Sequence, residues 1–336
     1  MIVSFQGNFK DVEGEGLVSC VNNLRKGLLS KEVKIVYNEP VKQAHIHTSG
    51  FLVSIKYFFS KNKPKISFYG NLDAGFFLML KNHWQYFFLL YNETQPIIKE
   101  IKHVFFSILS TAIPVFIKRF FINKFSEIIV PSDYFKKKLR NENVKVIHLG
   151  IDIKKFKNKN LKNKKLTIAY FGHNSPIKGV IECIKTFSIL KEEDYDFRIY
   201  LTKFSRKTEK LAHKYNKNVK VCGFVNDIVE EYNKCDIIVL PFWSPGGAIA
   251  TPLVLLESMA CERAIVTSNL SHIREIVGGS AICVNPFYPK QLASAVRNLA
   301  RDKKERVRLG KMARNQVISN YDLNQMIEEY ARLYKK

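Results

Sequence analysis

The chain has 336 residues, 46% of them hydrophobic, and carries 54 lysines and arginines against 30 aspartates and glutamates, a formal net charge of +24. That length suits two domains better than one core, and so apolar a composition excludes a disordered chain. The basic excess calls for an acidic partner (a nucleotide, an anionic headgroup or a nucleic acid) without choosing among them. Six cysteines are scattered with no CxxC pair, which argues against a disulfide framework or a zinc site and for free thiols in a reducing cytosol.

Apolar strand-like runs alternate with helical patterns from the start. Residues 2–5 read as a strand rather than a signal peptide, followed by a loop holding Gly7, Gly14 and Gly16 and a helix over 17–29. Strands are expected at 33–37, 44–47, 66–69, 127–130 and 144–148, with another at 85–91. Helices are expected at 52–59, 97–122 and 132–140, the second kinked near Pro114. The uncharged run inside 97–122 is shorter than the ~20 residues a bilayer requires, so no transmembrane helix is expected. Residues 153–165, rich in Lys and Asn, read as a linker.

The alternation then restarts. Strands are expected at 166–171, 197–201, 219–222, 237–240, 264–267 and 281–284. Helices fall at 180–190, 208–215, 227–233, 251–261, 271–277, 289–302, 304–320 and 324–334. Such alternation marks parallel sheets flanked by helices. The expected fold class is therefore α/β, with two Rossmann-like doubly wound domains facing each other across a cleft. Residues 1–152 and 166–320 form the domains, and a last helix in 321–336 crosses back to the first.

The most informative stretch is 244–261. Gly246 and Gly247 allow a close backbone approach, Thr251 suits a helix N-cap and Pro252 the first helical position. The amides of Leu253 and Val254 would then point outward at the positive end of the helix dipole, where a phosphate binds. Glu257 lies about a turn further in among apolar neighbours. A carboxylate there needs a hydrogen-bond partner, which ribose hydroxyls or another side chain would supply equally well. Residues 172–179, Gly-His-Asn-Ser-Pro-Ile-Lys-Gly, form a second strand-to-helix turn at the same sheet edge. They place Lys178 where a phosphate cradle belongs, though the spacing is not that of a Walker A loop. His45 and His47 share one face of a strand; His47, nearer its C-terminal end, is the candidate cleft residue and His45 reads as structural.

These residues together resemble the family-four retaining glycosyltransferases of the GT-B fold, the glycosyl transferases group 1. In the second half the likeness rests on Phe171-Gly172, Lys178-Gly179, Gly223-Phe224-Val225, 235–241, 251–260, 271–277 and 284–286. In the first half it rests on Gly14 and Gly16, 45–49, Pro131-Ser132 and Gly150-Ile151-Asp152 with Phe156. The resemblance implies a nucleoside-diphosphate sugar as co-substrate, no other cofactor and no metal. Gly172 and Lys178 would hold the diphosphate, with Thr251, Leu253 and Val254 at its distal end. Glu257 would meet the ribose, and Phe224 and Val225 the base. Catalytic roles would fall to Lys178, His173 and His47, and Gly14 and Gly16 would form a phosphate or acceptor loop.

Three positions depart from the family pattern: His173 stands where an arginine is common, Ile249 where a first glutamate is common, and Tyr69 where a strand-ending histidine is common. The resemblance further implies a lipid-linked or glycan acceptor in cell-envelope biosynthesis. The aromatic and basic stretch 84–122 could touch an anionic membrane from the cytoplasmic side. The lysines form no basic stripe with aromatic platforms, which disfavours nucleic acid. Two alternatives stay open: a catalytically degenerate basic protein on RNA or a membrane, and a nucleotide-sugar epimerase of the same fold.

Overall fold

A computed structural model describes residues 2–7, 16–37, 45–49, 66–68, 128–139, 144–161, 163–243 and 251–335. The helices expected at 52–59 and 97–122, the strand at 85–91, the stretch 84–122, Gly14, Tyr69 and Ile249 all lie outside the described residues. The chain divides into two compact units, residues 1–150 with 323–336 and residues 151–322.

In the first unit, strands β1 (Ile2–Gly7), β2 (Lys34–Tyr37), β3 (His45–Ser49) and β4 (Ile66–Phe68) form a parallel sheet in the order β2-β1-β3-β4. Strands β5 (Ile128–Val130) and β6 (Val144–Val146) pair in parallel on either side of helix α2 (Asp133–Leu139). Helix α1 (Gly16–Leu29) buries Leu24 and Leu28 and connects β1 to β2. It packs on the last helix, α10 (Leu323–Lys335), at Gly27, where a Cβ would sit 2.1 Å from Ile327 Cδ1. A side chain at this position would require Ile327 to shift.

The second unit is one sheet of six parallel strands: β7 (Thr167–Gly172), β8 (Asp196–Leu201), β9 (Lys220–Cys222), β10 (Ile237–Leu240), β11 (Ala264–Ser268) and β12 (Ile282–Val284). Their order is β12-β11-β10-β7-β8-β9. The chain starts in the middle, runs outward, then returns to build the other half. That is the doubly wound pattern with its switch point between β7 and β10. The strands are buried on both faces, so their sequences read as continuous apolar runs rather than alternating ones. Ala169, Phe171, Ile238 and Leu240 pack on one side against helices α5 (Ile228–Asn233), α6 (Leu253–Ala260), α7 (Ser271–Val277) and α9 (Lys303–Asn320). Ile168, Tyr170, Ile237 and Val239 pack on the other against α3 (Val180–Ile189), α4 (Arg206–Tyr215) and α8 (Pro289–Arg301).

The segment expected as a linker is fastened to this unit. Phe156 enters the first of these core faces, and Arg314 on α9 donates to the carbonyls of Ile153, Phe156 and Ala260. Asn233 Nδ2 donates to Lys157 O at 3.0 Å, and Lys159 N to Asn233 Oδ1 at 2.7 Å. The backbone of a polar, flexible-looking stretch is thus satisfied by side chains distant in sequence.

Candidate functional site

The switch point is where neighbouring strands send their connections in opposite directions, leaving a crevice at their carboxyl ends. Here β7 ends at Gly172 and enters a turn whose last residues, Pro176–Lys178, form a 3-10 helix. Lys178 N donates to Ser175 O at 3.0 Å and Gly179 N to Pro176 O at 2.8 Å, closing the turn. The Tyr170 hydroxyl supports it from below through His173 O at 3.1 Å. Burial holds that tyrosine's pKa well above its ordinary value, so it remains a donor. From the side, the Thr208 hydroxyl donates to Asn174 Oδ1 at 2.6 Å. Gly179 has φ 87°, and a Cβ on it would lie 2.0 Å from Pro241 O, the residue just after β10. The turn after β7 and the exit from β10 are therefore in direct contact. The structure brings Gly172, His173 and Lys178 together at this edge.

Helix α6 opens on the same edge, after β10 in the chain. Thr251 is not its N-cap: Pro252 takes that place, with φ −67° and ψ 117°, and its carbonyl accepts from Leu255 N at 3.0 Å. The proline's fixed φ is compatible with a cap, and its extended ψ turns the chain into the helix one residue later than expected. Thr251 instead is 1% exposed, and its hydroxyl has no hydrogen-bond partner among the described residues. Among the described residues nothing accepts from the amides of Leu253 and Val254. Two N–H groups and one buried hydroxyl without partners among the described residues thus lie at the positive end of a helix, where negative charge is favoured.

Glu257 is half-buried on α6, between Leu256 and Ser258, which are both fully buried. Its Oε2 accepts from the Tyr232 hydroxyl at 2.8 Å. Burial raises its pKa above the ordinary carboxylate value, partly offset by that hydrogen bond and by the charge of Lys155. So the carboxylate does have a protein partner, on one oxygen. Tyr232 is a residue that sequence reasoning missed. A second pair was missed as well: Glu182 on α3, 5% exposed, accepts from Trp243 Nε1. Burial raises the pKa of Glu182 too, offset by Trp243 and Lys185. The only sequence signal for either pair is a carboxylate set in an apolar helical face.

Phe224 and Val225 follow β9, at the same edge but on the far side of β8. Phe224 is 53% exposed while Val225 packs toward the core. Gly16 begins α1 and His47 lies in β3, both in the first unit. Among the described residues no group of three or more His, Cys, Asp or Glu side chains is placed to hold a metal ion, and no helix is long and apolar enough to cross a membrane.

The second unit is doubly wound, and the whole chain has the GT-B fold. It superimposes on sucrose-phosphate synthase from Thermosynechococcus elongatus with a TM-score of 0.75 at 14% identity, over 99% of this chain and 98% of that one. On Anabaena Alr3699/HepE in complex with UDP-glucose the TM-score is 0.71 at 16% identity, over 100% and 99% of the two chains. Residues 165–302 match the family described as glycosyl transferases group 1.

A relative in Campylobacter jejuni, N,N'-diacetylbacillosaminyl-diphospho-undecaprenol alpha-1,3-N-acetylgalactosaminyltransferase, is 32% identical over 120 residues, covering 35% of this chain and 31% of that protein. The capsular polysaccharide biosynthesis glycosyltransferase CapM of Staphylococcus aureus is 26% identical over 203 residues, 55% of this chain and 52% of that one. The matches thus span about a third and about half of the length of these two relatives.

Proposed function

We propose that this chain is a retaining glycosyltransferase that moves a sugar from a nucleoside-diphosphate sugar to a hydroxyl of a lipid-linked or polysaccharide acceptor. One observation carries the reading: the turn bearing Lys178 follows β7, and α6, whose first amides and Thr251 hydroxyl have no partner among the described residues, follows β10, the two neighbouring strands of the switch point. That donor set suits an anionic diphosphate. Relatives support the substrate classes. The Campylobacter jejuni protein is named for a diphospho-undecaprenol-linked sugar, the Staphylococcus aureus protein for capsular polysaccharide, and HepE is seen with UDP-glucose.

In this reading Lys178 and the 253–254 amides stabilise the diphosphate as its bond to the anomeric carbon breaks. His173 supplies a further donor and Thr251 donates its hydroxyl. The acceptor oxygen bonds to the anomeric carbon on the face the diphosphate leaves, and its proton passes to the departing phosphate oxygen. His47 serves on the acceptor side. Glu257 accepts from the ribose, and the backbone at Phe224 and Val225 meets the base. A lysine and a helix end can supply the neutralisation that a magnesium ion supplies elsewhere, so transfer is proposed to proceed without a resident metal and to persist in chelator. The stretch 84–122 is proposed to touch an anionic membrane at the cytoplasmic face.

The test is ligand-dependent melting. UDP or GDP at about a hundred times its Kd should stabilise the chain by ~2.7 kcal/mol, and Lys178→Ala should abolish the shift. A chain that ignores both nucleotides yet is stabilised by RNA or by anionic vesicles is not a transferase of this kind.

A further inference from the structure

The geometry points to Tyr232 as a positioning residue that aims the Glu257 carboxylate at the ribose of the bound nucleotide. This rests on the nucleotide-sugar reading above and adds to it a residue outside the ligand-facing set. Tyr232 is 2% exposed, so it acts on the ligand only through what it touches. Its hydroxyl donates to Glu257 Oε2 at 2.8 Å, and no other described side chain hydrogen-bonds that carboxylate. Oε1 has no hydrogen-bond partner among the described residues, on a side chain that is half-buried.

The tyrosine is itself immobile. Its ring lies 4.5 Å from that of Phe171, on the central strand β7, and 6.4 Å from that of Phe156. Its helix, α5, is short but fixed at both ends. Asp227 Oδ1 caps the start by accepting from Glu230 N at 2.9 Å. At the other end Asn233 Nδ2 donates to Val229 O at 2.8 Å and to Lys157 O at 3.0 Å. Arg263 Nη1 donates to Cys235 O at 3.1 Å just beyond. Burial keeps the phenol protonated, a donor across the whole working pH range.

A glutamate has three rotatable bonds, and ordering it costs entropy each time a ligand binds. A hydroxyl on a rigid aromatic core removes that cost in advance by fixing one oxygen. The other stays free to accept from the 2′- and 3′-hydroxyls. The fixed geometry also depends on residues 155–160, because Phe156 packs against Tyr232 and Lys157 anchors α5. Lys155, with Nζ 5.3 Å from the Phe156 ring centroid, is the cation that faces Glu257.

The experiment compares, on the full chain, binding of UDP and GDP with binding of their 2′,3′-dideoxy analogues and of inorganic pyrophosphate. Wild type should prefer the ribonucleotides by roughly tenfold or more, the worth of a charge-assisted hydrogen bond. Tyr232→Phe should lose most of that preference while binding pyrophosphate as wild type does. A merely structural role would weaken all ligands together. Glu257→Gln should erase the same preference, and the double variant should lose no more than either single one.

Tyr232→Phe keeping the full preference, or effects that add in the double variant, overturns the inference. A wild type that binds ribose and dideoxyribose forms equally removes Glu257 from the ribose and the inference with it, leaving the diphosphate reading intact. A wild type that binds neither nucleotide nor pyrophosphate removes the reading itself.

Discussion

Two carboxylates sit on the helices that follow the two strands of the switch point, and they share most of their chemistry. Glu182 is the third residue of α3 and Glu257 the fifth of α6. Each accepts a hydrogen bond from an aromatic donor, Trp243 Nε1 for the first and the Tyr232 hydroxyl for the second. Burial raises the pKa of both. They differ in access: Glu182 is 5% exposed, whereas Glu257 is half-buried, with one oxygen lacking a partner among the described residues. The same pairing thus does two jobs. At Glu182 the aromatic donor is the thing being held, and it fixes the chain just before residues 244–250. At Glu257 the donor does the holding, and the carboxylate is what is presented.

The contrast depends on how tightly α3 is seated, and Gly179→Ala should break it with the largest effect. The residue has φ 87°, and the added methyl would lie 2.0 Å from Pro241 O, a backbone atom that cannot swing away. Strain in the left-handed region and a displaced β10 exit together should cost about 3 kcal/mol or more. Denaturant unfolding would measure it. Nucleotide binding should fall as well, since Lys178 and Pro241 lose their common anchor. Stability within about 0.5 kcal/mol of wild type would show that the two connections are not locked together.

Next in size is Glu182. Replacing it by Ala leaves the Trp243 indole N–H without its acceptor and opens a small cavity, a loss of about 2 to 3 kcal/mol. Gln can still accept from the indole and should recover most of that. If Gln were as damaging as Ala, the negative charge rather than the hydrogen bond would be what holds Trp243.

How far the sequence foretold this site follows from the same pair. The alternation of apolar runs placed nearly every described strand and helix, because strands buried on both faces admit few residue types. It could not give the strand order, which is decided by the direction each crossover takes. Glu257 stood out because its helix is apolar around it. Its partner did not, since Tyr232 lies 25 positions earlier on a different helix. Glu182 drew no notice, because Lys185 and Ser188 make its helix look ordinarily amphipathic.

Thr251 was expected to cap α6 by residue type. The dihedral angles of Pro252 decided otherwise and left the hydroxyl buried, with no partner among the described residues. Lysines and asparagines made 153–165 look like a linker, whereas Arg314 and Asn233, 158 and 76 positions from their carbonyl partners, fasten it. Composition carries no trace of such bonds.

The smallest expected change in stability, and the one that sharpens the comparison most, is Glu257→Gln. Its carboxyl has a higher pKa folded than unfolded, so the native state holds its proton to higher pH. Stability from this group is therefore fully present below the unfolded pKa and is lost as pH rises through the folded one. Ionising this side chain in the unliganded protein is therefore a cost to stability.

Gln removes the charge and keeps an acceptor for Tyr232. The unliganded variant should thus be at least as stable as wild type at pH 7, and the difference should vanish as pH falls toward the ordinary carboxylate range. Melting curves across pH 4 to 8, with and without UDP or GDP, read both quantities together. A variant less stable than wild type at neutral pH, with nucleotide stabilisation unchanged, would make Glu257 a second Glu182, a carboxylate that serves the protein's interior and not its ligand.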